Sequence, residues 1–244
     1  MIKFFRNIRQ KLLSENKLSK YLIYALGEIL LVVFGILIAL QVNNANETRK
    51  ARVELDVFYK NIREEMMTNL DDLSLIQRST KENLNVCKKV LLLMGATDVE
   101  LKDVDVDSLL EETILFYPWR PSSLTVNELK SSGNFTNLQS PKFKNLLFEW
   151  ERITEFIERQ NEFVTERSFD ITDYINKNAS IRKMNYKKFS LGKSKLRFDN
   201  KVLFNDLTFE NLVDTKIGYL TFYEKYMNEA EVLIEEILQE TSKD

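Results

Sequence analysis

The stretch GEILLVVFGILIALQVNN (Gly27–Asn44) decides the architecture. Together with the residues before it, Tyr21–Val42 forms a run of 22 residues carrying one charge, Glu28. As a helix the run is about 33 Å long, matching a hydrocarbon core of about 30 Å. Lys3, Arg6, Arg9, Lys11, Lys17 and Lys20 precede it, opposed only by Glu15. Behind it Arg49, Lys50 and Arg52 are mixed with Glu47, Glu54 and Asp56. This asymmetry predicts residues 1–20 as a basic cytoplasmic tail, 21–42 as a transmembrane helix and 43–244 as an extracytoplasmic domain. Tyr21 and Tyr24 fall at the inner headgroup level. The run is too long for a cleaved signal peptide and lacks a small-x-small cleavage site, so the expected anchor is permanent. In the first 16 residues, Ile2, Phe5, Ile8 and Leu12 share one side of a helix. That pattern suits a helix lying on an anionic leaflet, or a basic flank that only sets orientation.

Glu28 asks why a membrane helix keeps a carboxylate. At 100° per residue, Gly35 and Ala39 lie within about 20° of it around the axis. Small residues let helices approach closely, and intramembrane carboxylates usually face protein or water. Glu28, Gly35 and Ala39 therefore read as a helix-packing face, in a homo-oligomer or against another membrane protein. Two other readings stay open: a carboxylate that reaches interfacial water, and an ion carrier like that of single-span subunits of ion-driven motors.

Composition narrows the chemistry. The chain is 44% hydrophobic with a net charge of −2, six Gly, three Pro, one Cys and no His. So little Gly and Pro argues for long regular elements. The absence of His excludes Ser-His-Asp and Cys-His catalysis and any His-ligated metal. The near-zero charge argues against nucleic acid as a partner. Cys87 cannot form an intrachain disulfide, though it could pair between chains, and reads as a small packing residue.

A resemblance enters here. KYLIYALGEILLVVFGILIALQVNNANE, preceded by MIKFFRNIRQKLLSENK, resembles the N-terminal signature of a family of single-span proteins of unknown function found in Bacteroidota. ELKSSGNFTNLQSPKFKNLLFEW (Glu128–Trp150) is similar to that family's second recurring block. Members usually carry a Trp soon after the span, where this sequence has Ala45. The resemblance implies an inner-membrane protein of a Gram-negative cell. It implies no activity and no catalytic residues.

Beyond the span, Leu55, Phe58, Ile62, Met66, Leu70, Leu73, Ile76, Leu84, Cys87, Leu91 and Met94 recur mostly at three- and four-residue steps, and Gly95 is a natural stop. This helix is about 70 Å long and can continue directly from the span. Residues 96–107 form an acidic loop whose alternating Asp103, Asp105 and Asp107 lack the glycine and distal glutamate of a calcium loop. Ser108 with Glu111, and Thr125 with Glu128, read as capping boxes of two short helices. Between them lies YPWRPSS (Tyr117–Ser123), where two prolines bracket Trp119 and Arg120. A rigid loop of this kind can present an aromatic for recognition, or cover the end of a core. Ser140-Pro141 opens a third long helix, to about Asn178, lined by Phe143, Leu146, Leu147, Trp150, Ile153, Phe156, Ile157, Phe163 and Val164. Its carboxylates, Glu149, Glu151, Glu155 and Glu158, read as a solvated face and not as an acid/base pair. Residues 181–198 contain Arg182, Lys183, Lys187, Lys188, Lys193, Lys195 and Arg197 with no acidic neighbour, interleaved with Tyr186, Phe189 and Phe198. This segment suits an anionic partner, or is a solvated loop balancing the acidic helices. A last helix runs from about Thr208 to Glu240.

The expected fold is therefore all-α. An N-terminal transmembrane helix precedes an extracytoplasmic antiparallel helical bundle of three long and two short helices. No metal spacing, phosphate loop or nucleophile–base pair appears, so neither catalysis nor a cofactor is expected. The expected function is a membrane-anchored periplasmic interaction or scaffold protein in the bacterial inner membrane. Its partners would be the lipid bilayer and a second copy or another membrane protein. A ligand-sensing bundle that signals through a partner, and an ion-coupled energy-transducing subunit using Glu28, are the alternatives.

Overall fold

A computed structural model describes residues 18–185, 189–190, 192 and 194–242. The expected N-terminal amphipathic helix, the side chains of Tyr21 and Tyr24, and Tyr186, Lys187, Lys188 and Lys193 of the basic segment lie outside the described residues. Every described regular element is helical. The first, α1, covers Leu18–Leu92, 75 residues without interruption. Among the described residues it is the one helix long and apolar enough to cross a membrane.

The chain packs as two units, Met1–Asp56 and Val57–Asp244. In the first, the large apolar side chains between Leu22 and Val42 all remain exposed, from 43% at Val33 to 70% at Leu31. In the second, α1 buries one stripe, with Ile62, Met66, Leu73, Leu84, Cys87 and Val90 at 0–4% exposure. The helix ends at Leu92, three residues before Gly95 (φ 76°), whose N–H donates to the Phe204 carbonyl at 2.7 Å.

Four further helices follow: α2 (Val106–Ile114), α3 (Leu124–Ser131), α4 (Pro141–Asn178) and, after a single turn at Ile181–Asn185, the long α5 (Leu207–Glu240). Short 3-10 turns at Asn134–Asn137 and Asn200–Asn205 join them. The start of α4 is as expected: the Ser140 side chain accepts the Phe143 N–H at 3.1 Å and Pro141 takes the first turn. Asp206 caps α5 in the same way. The two expected capping boxes are corrected. α2 begins three residues earlier than Ser108 implies, capped by Asp105, which accepts the Ser108 N–H at 3.1 Å. The first turn of α3 has no local side-chain cap. Instead Glu65, from α1, accepts the N–H groups of Leu124 (2.7 Å) and Thr125 (3.1 Å). A carboxylate at a helix N-terminus satisfies orphan donors and meets the positive end of the helix dipole.

The long helices of the second unit meet along their buried stripes. α4 and α5 run in opposite order: Phe156 stacks on Tyr226 (5.3 Å), Phe163 on Tyr219 (5.2 Å), and Tyr174 donates to Asp206 (2.8 Å). α1 and α5 also oppose one another. Arg63 donates to the Leu238 carbonyl, and Gln77 donates to Glu231. Two aromatic side chains expected on the inner face of α4, Phe156 and Phe163, therefore sit at the margin of the helix pair, where only part of each ring is covered. Asn161 and Ser168 occupy the inner stripe.

Candidate functional site: the groove beside the Trp119 loop

Trp119 is 2% exposed. Of the two readings of this loop, a presented aromatic and a cover over the end of a core, the burial of the ring fits the second, for a physical reason. Both prolines stiffen the loop, and its backbone is fastened inward at either side of the ring. The Trp119 N–H donates to the Tyr223 hydroxyl at 2.7 Å, and its carbonyl accepts from Asn161 Nδ2 at 2.7 Å. The indole meets Trp150 edge-on at 6.3 Å, and Trp150 Nε1 donates to Ser123 Oγ at 3.0 Å. Downstream, Asn69 brackets Ser122, accepting its N–H at 2.8 Å and donating to its carbonyl at 2.9 Å. Arg120, between the prolines, is the exposed residue of the pair.

The loop overhangs α4 and encloses an open groove of about 700 Å3. Pro118, Trp119, Arg120 and Pro121 form one wall. The other is a helical ladder on α4 that includes Glu155, Glu158, Asn161, Glu162, Glu166 and Phe169. These positions recur at three- and four-residue steps, so one side of the helix carries them all. Asp170, at the end, pairs with Arg167 at 2.5 Å. The wall is strongly anionic, with Arg120 as the single cation of the lining. Two groove residues hold unpartnered polar atoms: Trp119 Nε1, a donor, and Asn161 Oδ1, an acceptor. Both side chains are more than nine-tenths buried, with Asn161 at 8% exposure. Leaving a buried polar group without a partner costs about 1–3 kcal/mol.

A buried polar cluster stands behind the loop. Lys216 on α5 has no exposure, and its ammonium donates to the carbonyls of Thr113 (2.6 Å) and Leu115 (3.0 Å). It thereby takes two carbonyls at the end of α2 that no helical N–H reaches. Burial pushes the Lys216 amine down to about 8, against an opposing effect of the neighbouring Cys87. Burial likewise pushes the Cys87 thiol up to about 11, partly offset by Lys216, and raises the Tyr223 phenol. With no exposure, these groups hold the loop and meet no ligand.

None of the other expected site residues that are described lines the groove. Glu28 is half-buried in the first unit, and Ala39 is exposed. A side chain added at Gly35 would meet nothing within 4 Å. In the basic segment, Arg182 donates to the Gly192 carbonyl at 3.0 Å and Lys183 donates to the Phe198 carbonyl, while Lys195 and Arg197 are exposed. Among the described residues no group of three acidic or cysteine side chains is placed to hold a metal. The sequence reading missed Asn161, Lys216 and Glu65. The first two carried a signal: each is polar yet falls in phase with an apolar stripe, Asn161 between Ile157 and Val164, Lys216 between Val213 and Leu220. Glu65 carried none.

Residues 28–214 match DUF6090, a family of unknown function. The chain belongs to that family. No curated protein and no solved structure matches it. The matched stretch begins at Glu28 in the apolar run and includes the whole groove and the basic segment.

Proposed function

We propose that this member of DUF6090 is a non-catalytic, membrane-anchored interaction protein whose groove beside the Trp119 loop is its binding surface. In this reading the apolar part of α1 is a single span in a bacterial inner membrane of the Bacteroidota type. Residues 1–20 are cytoplasmic, and the helices of residues 57–244 form a periplasmic bundle, mostly antiparallel. The exposed apolar run and the basic flank before it support the anchor and its orientation. The face carrying Glu28, Gly35 and Ala39 holds a second copy or another membrane protein, and Lys195 and Arg197 meet an anionic surface.

The observation that carries the binding role is the coincidence of two unpartnered buried atoms, Trp119 Nε1 and Asn161 Oδ1, with an anionic groove of about 700 Å3. A volume of that order is ordinary for a ligand site. The same groove favours a second reading, in which a small cationic ligand is sensed and the signal passes to a membrane partner. A photo-crosslinking amino acid at Thr165, which lines the groove, tests the first reading in native membranes. The expected result is a discrete polypeptide adduct that disappears with Glu162→Lys and Glu166→Lys. Absence of an adduct, or one indifferent to those changes, would overturn it.

A further inference from the structure

The groove and the basic segment are complementary within one sequence. We propose that the groove receives residues 181–198 of a second copy of this chain. The inference rests on the groove being a binding surface and names its occupant.

Charge is the first argument. Glu155, Glu158, Glu162 and Glu166 face the groove with Arg120 as the only cation, whereas the segment carries seven cations and no carboxylate. The polar pair is the second. A donor, Trp119 Nε1, and an acceptor, Asn161 Oδ1, lack partners beside the groove, and the carbonyl and N–H groups of a peptide backbone are the complementary kinds. Apolar matching is the third. The groove exposes Phe169 (69%) beside Pro118 and Pro121, and the segment exposes Phe189 (60%) and Leu196 (79%) between its cations. The residues that flank the segment are tied to one another. Asn200 accepts the Ser180 N–H at 2.7 Å and donates to the Ser180 carbonyl at 3.2 Å, drawing the two ends together. Arg182 and Lys183 are engaged by carbonyls inside the loop, which leaves Lys195 and Arg197 facing outward. Copies anchored in one membrane share a plane, which raises their effective concentration and lets a modest contact assemble them.

The test is self-association of the full-length protein in detergent micelles, followed by sedimentation and by energy transfer between differently labelled copies, at low and high salt. One variant reverses the groove (Glu158→Lys, Glu162→Lys, Glu166→Lys). Another reverses the segment (Lys188→Glu, Lys195→Glu, Arg197→Glu). The three groove glutamates are exposed, so their reversal leaves the fold intact, which a melting curve checks. Association that weakens at least tenfold in either variant, weakens in salt and returns when the two variants are mixed is the expected result. Mixing restores complementarity only if groove meets segment across two copies. Association indifferent to both reversals, or no rescue on mixing, overturns the inference. Octalysine binding, read by tryptophan emission, separates the two levels. If octalysine binds and is lost on groove reversal while copies fail to associate, the groove remains a binding surface and only the homotypic occupant falls. If octalysine also fails to bind, both fall.

Discussion

Two stretches of one helix use apolar side chains in opposite ways. Between residues 22 and 42, α1 is apolar on all sides and exposes every large aliphatic side chain and Phe34. Between residues 57 and 92 it is apolar on one side and buries that stripe completely at Ile62, Met66 and Cys87. The backbone is the same; the environment each stretch demands is not. A helix that is hydrophobic all round needs a lipid or protein solvent, whereas a one-sided stripe needs partner helices. The comparison also explains how polar residues are treated. In the second stretch Asn69 and Asn83 sit in the buried stripe because the Ser122 backbone of the loop and the Glu112 carbonyl near the end of α2 come to meet them.

The comparison can be broken most directly in the core. Trp150→Ala should cost about 3–5 kcal/mol of stability, by cavity formation and by stranding Ser123, read as a lowered thermal midpoint. Leu31→Ala should leave that midpoint unchanged; equal effects would show that the first stretch is packed too. Next in size, Phe34→Arg should cost about 2.5–3.5 kcal/mol of membrane insertion. Carbonate extraction should leave the wild-type protein in the membrane and release more of the variant; release of the wild type would deny that the stretch spans.

A smaller effect concerns pH. Lys216 titrates at about 8 in the folded protein against 10.5 ordinarily, so above pH 8 the unfolded chain holds a proton that the folded one has lost, and stability rises. Cys87 opposes this from pH 9, because the folded thiol keeps its proton up to about 11 while the unfolded thiol loses it at 9.0. Stability should therefore rise by on the order of 1 kcal/mol between pH 8 and 9, level off, and fall above about pH 10, where the raised Tyr223 phenol joins Cys87 in keeping its proton in the folded state. Denaturant midpoints against pH check this. Lys216→Met should abolish the rise, and Cys87→Ala should extend it toward pH 10, where Tyr223 begins to oppose it. The smallest effect is Gly35→Leu, within about 0.5 kcal/mol on the stability of the packed helices. A membrane partner recovered by gentle-detergent extraction should nonetheless be lost, and its retention would place the contact on another face.

Most of the helical layout was legible because helices are local objects. Ser140-Pro141 and the stripe from Phe143 to Ile175 locate α4 because each cap and each i, i+4 contact falls within a few residues. The acidic ladder on α4 was legible as a face, though not as the wall of a groove. A groove needs a second wall, and that wall comes from a loop some forty residues away. The same distance problem hid the cap of α3, which Glu65 supplies from α1.

The amino-acid sequence by itself determined the all-helical class, the apolar run with its basic flank, the starts of the long helices and the charge of the 181–198 segment, all set by composition and short-range periodicity. The tertiary structure alone decided that Trp119 turns inward, that Lys216 is spent on the end of α2, and that Trp119 and Asn161 share a groove with four glutamates. Those outcomes depend on hydrogen bonds between groups such as Trp119 and Tyr223, 104 positions apart; Asn161 and Lys216 stand out as polar residues in apolar stripes, but a local pattern does not name the partner at such a separation.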